Sequence, residues 1–234
     1  PRRSPYANST PRSSGCRAPC FWAHLTSPQR NNLAGIVFRV VVEHMKKLII
    51  AHRGATSPAR ENTLEAFQKA IDLGADMIEF DVRRTKDLRH VVHHDPGISG
   101  VPLNQMTLRQ ARDRARAAGF HVPEIGEALE LARGRIGLDI ELKEEGYERE
   151  LVRFVADVLR MEDFIVSSFH AGSVERARQS RAGVRTGFIF DDAGALTRAI
   201  LRGDTEWLIP AETLAHGQLL ARMREAGKKV AVWT

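Results

Sequence analysis

The chain has 234 residues, of which 43% are hydrophobic and 27% are charged, and this composition is ordinary for a water-soluble globular protein. No apolar run approaches the roughly 18 residues that a membrane-spanning helix needs, so the sequence excludes stable insertion into a membrane. The two cysteines, Cys16 and Cys20, are too few for a disulfide-stabilised fold, and no cysteine chemistry is available after residue 20.

The net charge of +6 is concentrated at the start of the chain. Residues 1–44 carry six arginines and one acidic residue, whereas the other 190 residues carry 29 basic and 28 acidic side chains. Because this basic head is rich in proline, serine and asparagine and has no periodicity, we expect 1–44 to be disordered. A charged head without a folded basic face argues against nucleic-acid binding. Cys16, Cys20 and His24 match no common zinc-binding spacing.

From Lys47 onward, short apolar runs alternate with helical patterns, which predicts β/α units around a parallel sheet. The predicted strands are Leu48–His52, Met77–Val82, Ile136–Lys143, Phe164–Phe169, Thr186–Phe190, Trp207–Pro210 and Lys229–Thr234. The predicted helices are Asn62–Leu73, Ile125–Ala132, Tyr147–Leu159, Ala171–Arg181, Gly194–Arg202 and Ala215–Ala226.

The run His90–His94 follows the second predicted strand too closely for a crossover helix between them. We therefore expect it to form a hairpin with that strand, turning near residues 86–88. Residues 83–123, with an amphipathic segment around 108–118, are then an insertion into a barrel domain that spans 45–234.

Polar side chains lie at the carboxyl ends of four predicted strands, and this is the end at which β/α barrels carry their active sites. These side chains are His52 and Arg53, Glu79 and Asp81, His94 and Asp95, and Glu141 and Lys143. Side chains alternate across a strand, so two residues that are two positions apart project to the same side. We therefore expect three carboxylates to converge in the barrel mouth.

Three ionised carboxylates at close range repel one another unless a cation lies between them. Glu79, Asp81 and Glu141 therefore predict one bound divalent cation, and their oxygen ligands favour Mg²⁺ or Ca²⁺. The alternative is that such alternation marks only a solvated strand face. That alternative would suffice for one charged pair, but two pairs and two histidines within apolar runs favour a site.

The remaining charged residues favour a phosphate ester as substrate. Arg53 and Lys143 supply positive charge that matches anionic oxygens. His52 and His94 are candidates for general base and general acid, because imidazole titrates near neutral pH. Asp139 lies two positions before Glu141, so its side chain projects to the same side of the strand. It either lines the site or orients a ligand there, or it makes buried hydrogen bonds.

Seven short segments, in order along the chain, resemble those of the glycerophosphodiester phosphodiesterases. They are HRG at 52–54, ENTLEAF at 61–67, GADMIEFDV at 74–82, VVHHD at 91–95, IELK at 140–143, SSF at 167–169 and VWT at 232–234. The resemblance covers 46–234. It implies a TIM-type barrel with a characteristic insertion, and cleavage of glycerophosphodiesters to glycerol phosphate and an alcohol.

The resemblance also implies roles for individual residues. His52 and His94 match the paired acid/base histidines, and the three carboxylates match metal ligands. Arg53 and Lys143 match phosphate contacts. Glu61 matches an acidic position near the site and Trp233 an aromatic residue on the substrate side, so that Phe169 and Trp233 are candidates to flank a cationic alcohol.

The chain departs from the family pattern in three places. Arg60 stands where the family usually has proline, and Leu88 where it usually has glycine. Only seven barrel strands are predicted, so the barrel looks truncated before an eighth strand. The apolar run 36–42 could reach the first strand only in an antiparallel direction, because its link to Lys47 is short, and we expect this edge of the barrel to stay open.

Three alternatives remain at this point. A related barrel could cleave lysophospholipids or sphingolipids, and a preference for long-chain lipids would distinguish it. A catalytically weak phosphate-binding fragment would bind ligand without turnover. A nucleic-acid-binding protein would lose its salt-dependent affinity without residues 1–44. We expect a cytoplasmic location by default, and the sequence does not indicate an oligomeric state.

Overall fold

Eight strands form a closed ring in the computed structural model, which describes residues 38–43, 46–197, 201 and 203–234. Seven of the strands run parallel, and around the ring the order is β1-β2-β3-β7-β8-β9-β10-β11. The strands are β1 (Phe38–Glu43), β2 (Lys46–His52), β3 (Met77–Arg84), β4 (His90–Val92), β5 (Gly97–Ile98), β6 (Val101–Pro102), β7 (Gly137–Leu142), β8 (Phe164–Ser168), β9 (Thr186–Phe190), β10 (Trp207–Pro210) and β11 (Lys229–Val232).

Helices connect successive parallel strands, which confirms the predicted β/α barrel. They are α1 (Leu64–Asp72), α2 (Leu108–Ala117), α3 (Ile125–Ala132), α4 (Glu148–Val158), α5 (Ala171–Ser180) and α6 (Gly217–Glu225). Of the helix predicted over 194–202, Leu201 is helical and its N–H donates to the Thr197 carbonyl at 3.0 Å. Ala193–Ala195 form a 3₁₀ turn, and residues 198–200 and 202 lie outside the described residues. No helix within the described residues has the length and apolar character that crossing a membrane requires.

Strand β1 corrects the expectation of an open barrel edge. It pairs antiparallel with β2, where Glu43 lies opposite Lys46, and antiparallel with β11, where Val40 lies opposite Val232. The short link between β1 and β2 enforces the antiparallel direction that the sequence predicted, yet the strand still pairs with both edges. The expected disorder of residues 1–44 therefore does not hold at 38–43. The rest of that head, with Cys16, Cys20 and His24, lies outside the described residues.

Apolar side chains fill the barrel below its carboxyl-terminal rim. Ile50, Met77, Ile165, Ile189, Trp207, Ile209 and Ala231 form one buried cluster from six different strands. A second, larger cluster lies between the strands β2, β3, β7 and β8 and their helices. Close packing in these two clusters makes the parallel strands rigid. The backbone positions of the residues at the rim are therefore well fixed.

The insertion packs on the rim as a small unit with its own core. Strand β4 pairs antiparallel with β3, as predicted, while β5 and β6 form a short hairpin. Its core residues are Val91, Ile98, Leu103, Met106, Ala111, Ala115 and Val122. The Arg60 guanidinium lies 3.8 Å from the centroid of the Phe120 ring, which also stacks on His93 at 5.9 Å. The insertion is thereby attached to the loop after β2.

Candidate active site

The three predicted carboxylates converge at the rim, on the neighbouring strands β3 and β7. Asp81 lies directly opposite Glu141 in the parallel register, and Glu79 lies opposite His52 of β2. One ligand oxygen from each of Glu79, Asp81 and Glu141 lies within 4.8 Å of the others, and all three residues are buried. This spacing would allow one cation to contact all three carboxylates.

The local chemistry of the cluster fits a hard divalent cation. Asp81 Oδ1 is buried, and within the described part of the chain it accepts no hydrogen bond. Burying such an oxygen is costly unless another group compensates it. Two cationic side chains, Arg53 and Lys143, lie against the three carboxylates. The three carboxylates and two cationic side chains together carry a net charge near −1. A divalent ion would convert this charge to about +1.

Lys143 lies between the carboxylates of adjacent strands. Its Nζ donates a hydrogen bond to Glu141 Oε1 at 2.7 Å and lies 3.4 Å from Asp81 Oδ1. Burial would raise the pKa of Asp81, but Lys143, followed by the Asn62 amide, outweighs burial and holds that pKa below its usual value. Arg53 and His94 contribute in the same direction. Asp81 is therefore ionised at neutral pH, as a metal ligand must be.

Arg53 takes up a left-handed backbone conformation, with φ of 56°, directly after β2. Its backbone N–H donates to Glu79 Oε2 at 3.0 Å, and its guanidinium donates to Glu61 Oε2 at 2.9 Å. Arg53 Nε lies 3.3 Å from Asp81 Oδ2. Burial lowers the pKa of the guanidinium, but Asp81 and Glu61 outweigh it and raise the pKa above its ordinary value. Arg53 thus stays charged at the edge of the cluster.

Asn62 is a site residue that sequence reasoning missed. Its side-chain amide donates to Asp81 Oδ2 at 2.8 Å, and its Oδ1 accepts from the Asp81 backbone N–H at 3.3 Å. Asn62 is buried and has φ of 55°, which asparagine tolerates better than most residues. It therefore fixes the orientation of one carboxylate. The only signal was its place beside Glu61 in the ENTLEAF segment, because a neutral amide adds nothing to a charge pattern.

His52 is the last residue of β2 and His94 follows β4, and each imidazole lies beside a carboxylate. His52 Nε2 is 3.7 Å from Glu79 Oε2, and 15% of its side chain is exposed. His94 Nδ1 hydrogen-bonds Asp95 Oδ1 at 2.9 Å, and 34% of its side chain is exposed. This hydrogen bond is the largest factor that lowers the pKa of Asp95. Both imidazoles are thus reachable from solvent while the carboxylates are buried.

Asp139 is buried and hydrogen-bonded, which agrees with the second of the two roles predicted for it. Asp139 lies opposite Glu79 in the register, and its Oδ1 accepts from Ser167 Oγ at 2.5 Å. The neighbouring Ser168 Oγ donates to the Leu142 carbonyl at 2.8 Å. Both serines are buried, and they tie β8 to β7 at the level of Glu141, which lies opposite Ser167 in the parallel register.

The remaining predicted residues form the outer part of the site. Phe169 and Trp233 are in edge-to-face contact, with 5.6 Å between their ring centroids, and Lys143 Nζ lies 5.8 Å from the Phe169 ring. Trp233 Nε1 donates to the Phe190 carbonyl at 3.4 Å. Glu61 is more exposed and contacts Arg53 alone among the predicted site residues. The structure thus brings the two aromatic residues together on the side of Lys143.

A model of the glycerophosphoryl diester phosphodiesterase family matches residues 52–234. One curated relative is a glycerophosphodiester phosphodiesterase from Caldanaerobacter subterraneus subsp. tengcongensis. It is 31% identical over 164 residues, which are 62% of this chain and 68% of the relative. The match to the family model includes β3 and β7, the strands that carry the three carboxylates.

Solved structures share the fold. A glycerophosphodiester phosphodiesterase from Thermotoga maritima has a TM-score of 0.67 at 25% identity, covering 82% of this chain and 87% of its own. A phosphodiesterase from Oleispira antarctica, solved in complex with the product sn-glycerol-3-phosphate, has a TM-score of 0.67 at 24% identity and covers 79% of this chain and 83% of its own. The TIM-type barrel inferred from the sequence is thus confirmed.

Proposed function

Because the chain belongs to the glycerophosphoryl diester phosphodiesterase family, we propose that it hydrolyses glycerophosphodiesters in a reaction that needs a divalent cation and two histidines. The observation that carries this proposal is the convergence of three buried carboxylates within 4.8 Å. His52 lies beside Glu79, and His94 contributes to the lowered pKa of Asp81. Glu79, Asp81 and Glu141 would hold the ion, either Mg²⁺ or Ca²⁺. When bound, the ion would supply positive charge that stabilises the anionic oxygens of the phosphoryl group.

The charges of the site fit a phosphodiester. A diester carries one negative charge, and the buried groups together with a divalent cation carry about one positive charge. Arg53 and Lys143 are the side chains that would contact the non-bridging oxygens, because both lie at the rim beside the carboxylates. Fixed charges of this kind stabilise the transition state without reorganisation.

The histidines are proposed to carry the protons. One imidazole accepts a proton from the attacking oxygen, and the other donates a proton to the departing alkoxide. His94 Nδ1 is engaged by Asp95, so Nε2 is the nitrogen that would exchange a proton with the substrate. Glu79 Oε2 lies 3.7 Å from His52 Nε2, so this imidazole lies directly beside one of the proposed metal ligands.

The aromatic pair is proposed to receive the organic part of the substrate. Phe169 is 37% exposed and lies with Trp233 next to Lys143, so a glycerol or alcohol group beside the phosphate would contact these two rings. Glu61 would act through Arg53, because it accepts a hydrogen bond from Nη1 of the guanidinium. The substrate class proposed is therefore a small, water-accessible phosphodiester.

The decisive experiment is a metal-dependent hydrolysis assay on a panel of substrates. Glycerophosphocholine, glycerophosphoethanolamine and glycerophosphoglycerol are incubated with the protein, with lysophosphatidylcholine as the long-chain alternative. We expect glycerol phosphate to be released, the release to stop with a chelator, and Mg²⁺ or Ca²⁺ to restore it. Asp81→Asn should abolish the activity, whereas the exposed Asp113→Asn should not.

Three outcomes would overturn the proposal. Hydrolysis that continues after the chelator has removed all divalent ions would contradict the metal requirement. Turnover restricted to the long-chain lysophospholipid would favour the lipid-cleaving alternative, and phosphate binding without turnover would favour the non-catalytic one.

A further inference from the structure

Arg83 is a buried charged residue that none of the roles above uses. It lies on β3 two positions after Asp81, and only 9% of its surface is exposed. Its Nε donates a hydrogen bond to the backbone carbonyl of His94 at 2.7 Å. A side chain of the metal-binding strand therefore holds the backbone of a proposed acid/base residue eleven positions later.

Glu144 holds Arg83 in this orientation. Arg83 Nη1 donates to Glu144 Oε1 at 2.7 Å, and Glu144 Oε2 accepts from the Arg84 backbone N–H at 3.3 Å. The planar guanidinium thus bonds in two fixed directions, to a carboxylate after β7 and to a carbonyl after β4. A lysine ammonium has no such fork and would not reproduce both contacts with the same geometry.

His94 depends on this contact because it has few others. Among the described residues, its imidazole bonds only Asp95, which is itself 69% exposed. An exposed pair of sequence neighbours does little to fix a side chain in space. The chain before it is fixed by the His93 backbone N–H, which donates to the Asp81 carbonyl at 3.0 Å. Arg83 supplies the buried anchor at His94 itself.

We propose that Arg83, oriented by Glu144, is a positioning residue that keeps His94 at the distance from the cluster that proton transfer requires. This inference rests on the proposed function of His94. Misplacing a reacting group by about 1 Å can cost on the order of 100-fold in rate. We therefore expect loss of Arg83 to slow the chemical step rather than to weaken substrate binding.

The test compares Arg83→Met with Arg84→Met. Both variants remove one positive charge from adjacent positions, but the Arg84 side chain contacts Glu150 at 4.0 Å and the Tyr147 ring at 5.3 Å, and not His94. For Arg83→Met we expect kcat to fall about 10- to 100-fold while KM changes less than about threefold. Arg84→Met should retain kcat. Glu144→Gln keeps one acceptor and should show a smaller loss of kcat in the same direction.

A double-mutant cycle separates positioning from a general structural role. In a His94→Ala background, Arg83→Met should cause no further loss of kcat, because the group that it positions is absent. An equal loss in both backgrounds, or an unchanged kcat in Arg83→Met with wild-type thermal stability, overturns the inference.

The ring signals of His94 in an NMR spectrum of ¹⁵N-histidine-labelled protein provide a readout that does not need activity. We expect Arg83→Met, but not Arg84→Met, to shift or broaden them. If the wild-type protein hydrolyses no glycerophosphodiester, the proposed function fails. A His94 signal that stays unchanged in Arg83→Met overturns the positioning role in either case.

Discussion

The two sides of the barrel interior have the same backbone architecture and opposite chemistry. The strands β2, β3 and β7 direct charged or polar side chains inward near their carboxyl ends, namely His52, Glu79, Asp81, Asp139 and Glu141. The strands β9, β10 and β11 direct apolar ones inward, namely Ile189, Trp207, Ile209 and Ala231. The comparison shows that parallel strands position either kind of side chain equally well.

The two sides differ in what they contribute to stability. Burying apolar surface stabilises the fold by roughly 25 cal/mol per Å². Burying like charges does the opposite unless each is compensated, and the acidic side achieves this through Arg53, Lys143 and Asn62. We infer that the apolar side stabilises the barrel, whereas the acidic side serves the chemistry.

The largest expected effect is on the acidic side. His52→Ala and His94→Ala should each lower kcat by a factor of about 10² to 10⁴, because each removes a group to which we assign a proton transfer. Steady-state hydrolysis of glycerophosphocholine measures this. The matched control is His216→Ala at the exposed start of α6, which should retain activity. Near-full activity in either site variant would show that its role is assigned wrongly.

The apolar side is tested by Ile209→Ala. This change leaves a cavity among buried side chains and should lower the free energy of unfolding by roughly 2–5 kcal/mol. Metal affinity should stay within about twofold, since Ile209 belongs to the apolar cluster and to a strand that carries none of the three carboxylates. Chemical denaturation and calorimetry measure the two quantities, with the partly exposed Leu73→Ala as control. A large loss of metal affinity would mean that the two sides are not separable.

A smaller effect is expected at Asn62, which supports the acidic side. Asn62→Gly removes the amide that orients Asp81. Glycine adopts a positive φ readily, so the backbone conformation at this position is retained. Metal affinity should weaken about 10- to 100-fold, as for other residues that orient ligands. Asn104→Gly, at an exposed position of the insertion, should leave the affinity unchanged. Equal affinities for both variants would contradict the orienting role.

The smallest effect is expected outside both sides, in the hairpin turn of the insertion. Leu88 has φ of 64° and is 58% exposed, so its side chain gains little and its backbone is strained. Leu88→Gly should raise the free energy of unfolding by about 0.5–1 kcal/mol, whereas Leu88→Ala, which keeps the Cβ atom, should not. Thermal denaturation measures the difference. A change in metal affinity would show that the turn is coupled to the site.

The sequence predicted the elements whose signals are local. Alternation within β3 and β7 predicted that Glu79, Asp81 and Glu141 would meet, and the structure brings them together. The hairpin that places His94 followed from the short gap after β3. These features depend on periodicity and spacing, which a single sequence displays directly.

The sequence did not reveal contacts that depend on distant partners. Pairing of β1 with β11 joins residues at least 190 positions apart, such as Val41 and Ala231, and the sequence showed only an apolar run. Glu144 accepts a hydrogen bond from Arg83, which lies 61 positions earlier in the chain, and no sequence pattern predicts this pair. The sequence does place Arg83 on the same side of β3 as Glu79 and Asp81, because the three residues are two positions apart along the strand. Its partner, however, could be identified only in three dimensions.

The central claim is that carboxylates from two neighbouring strands bind one divalent cation. Isothermal titration of Mg²⁺ and Ca²⁺ into the metal-free wild-type protein, Asp81→Asn and Glu141→Gln tests it most directly. The account predicts binding of one ion per chain in the wild type and a loss of affinity beyond about 100-fold in both variants. Wild-type affinity in both variants, or no binding by the folded wild-type protein, would contradict it.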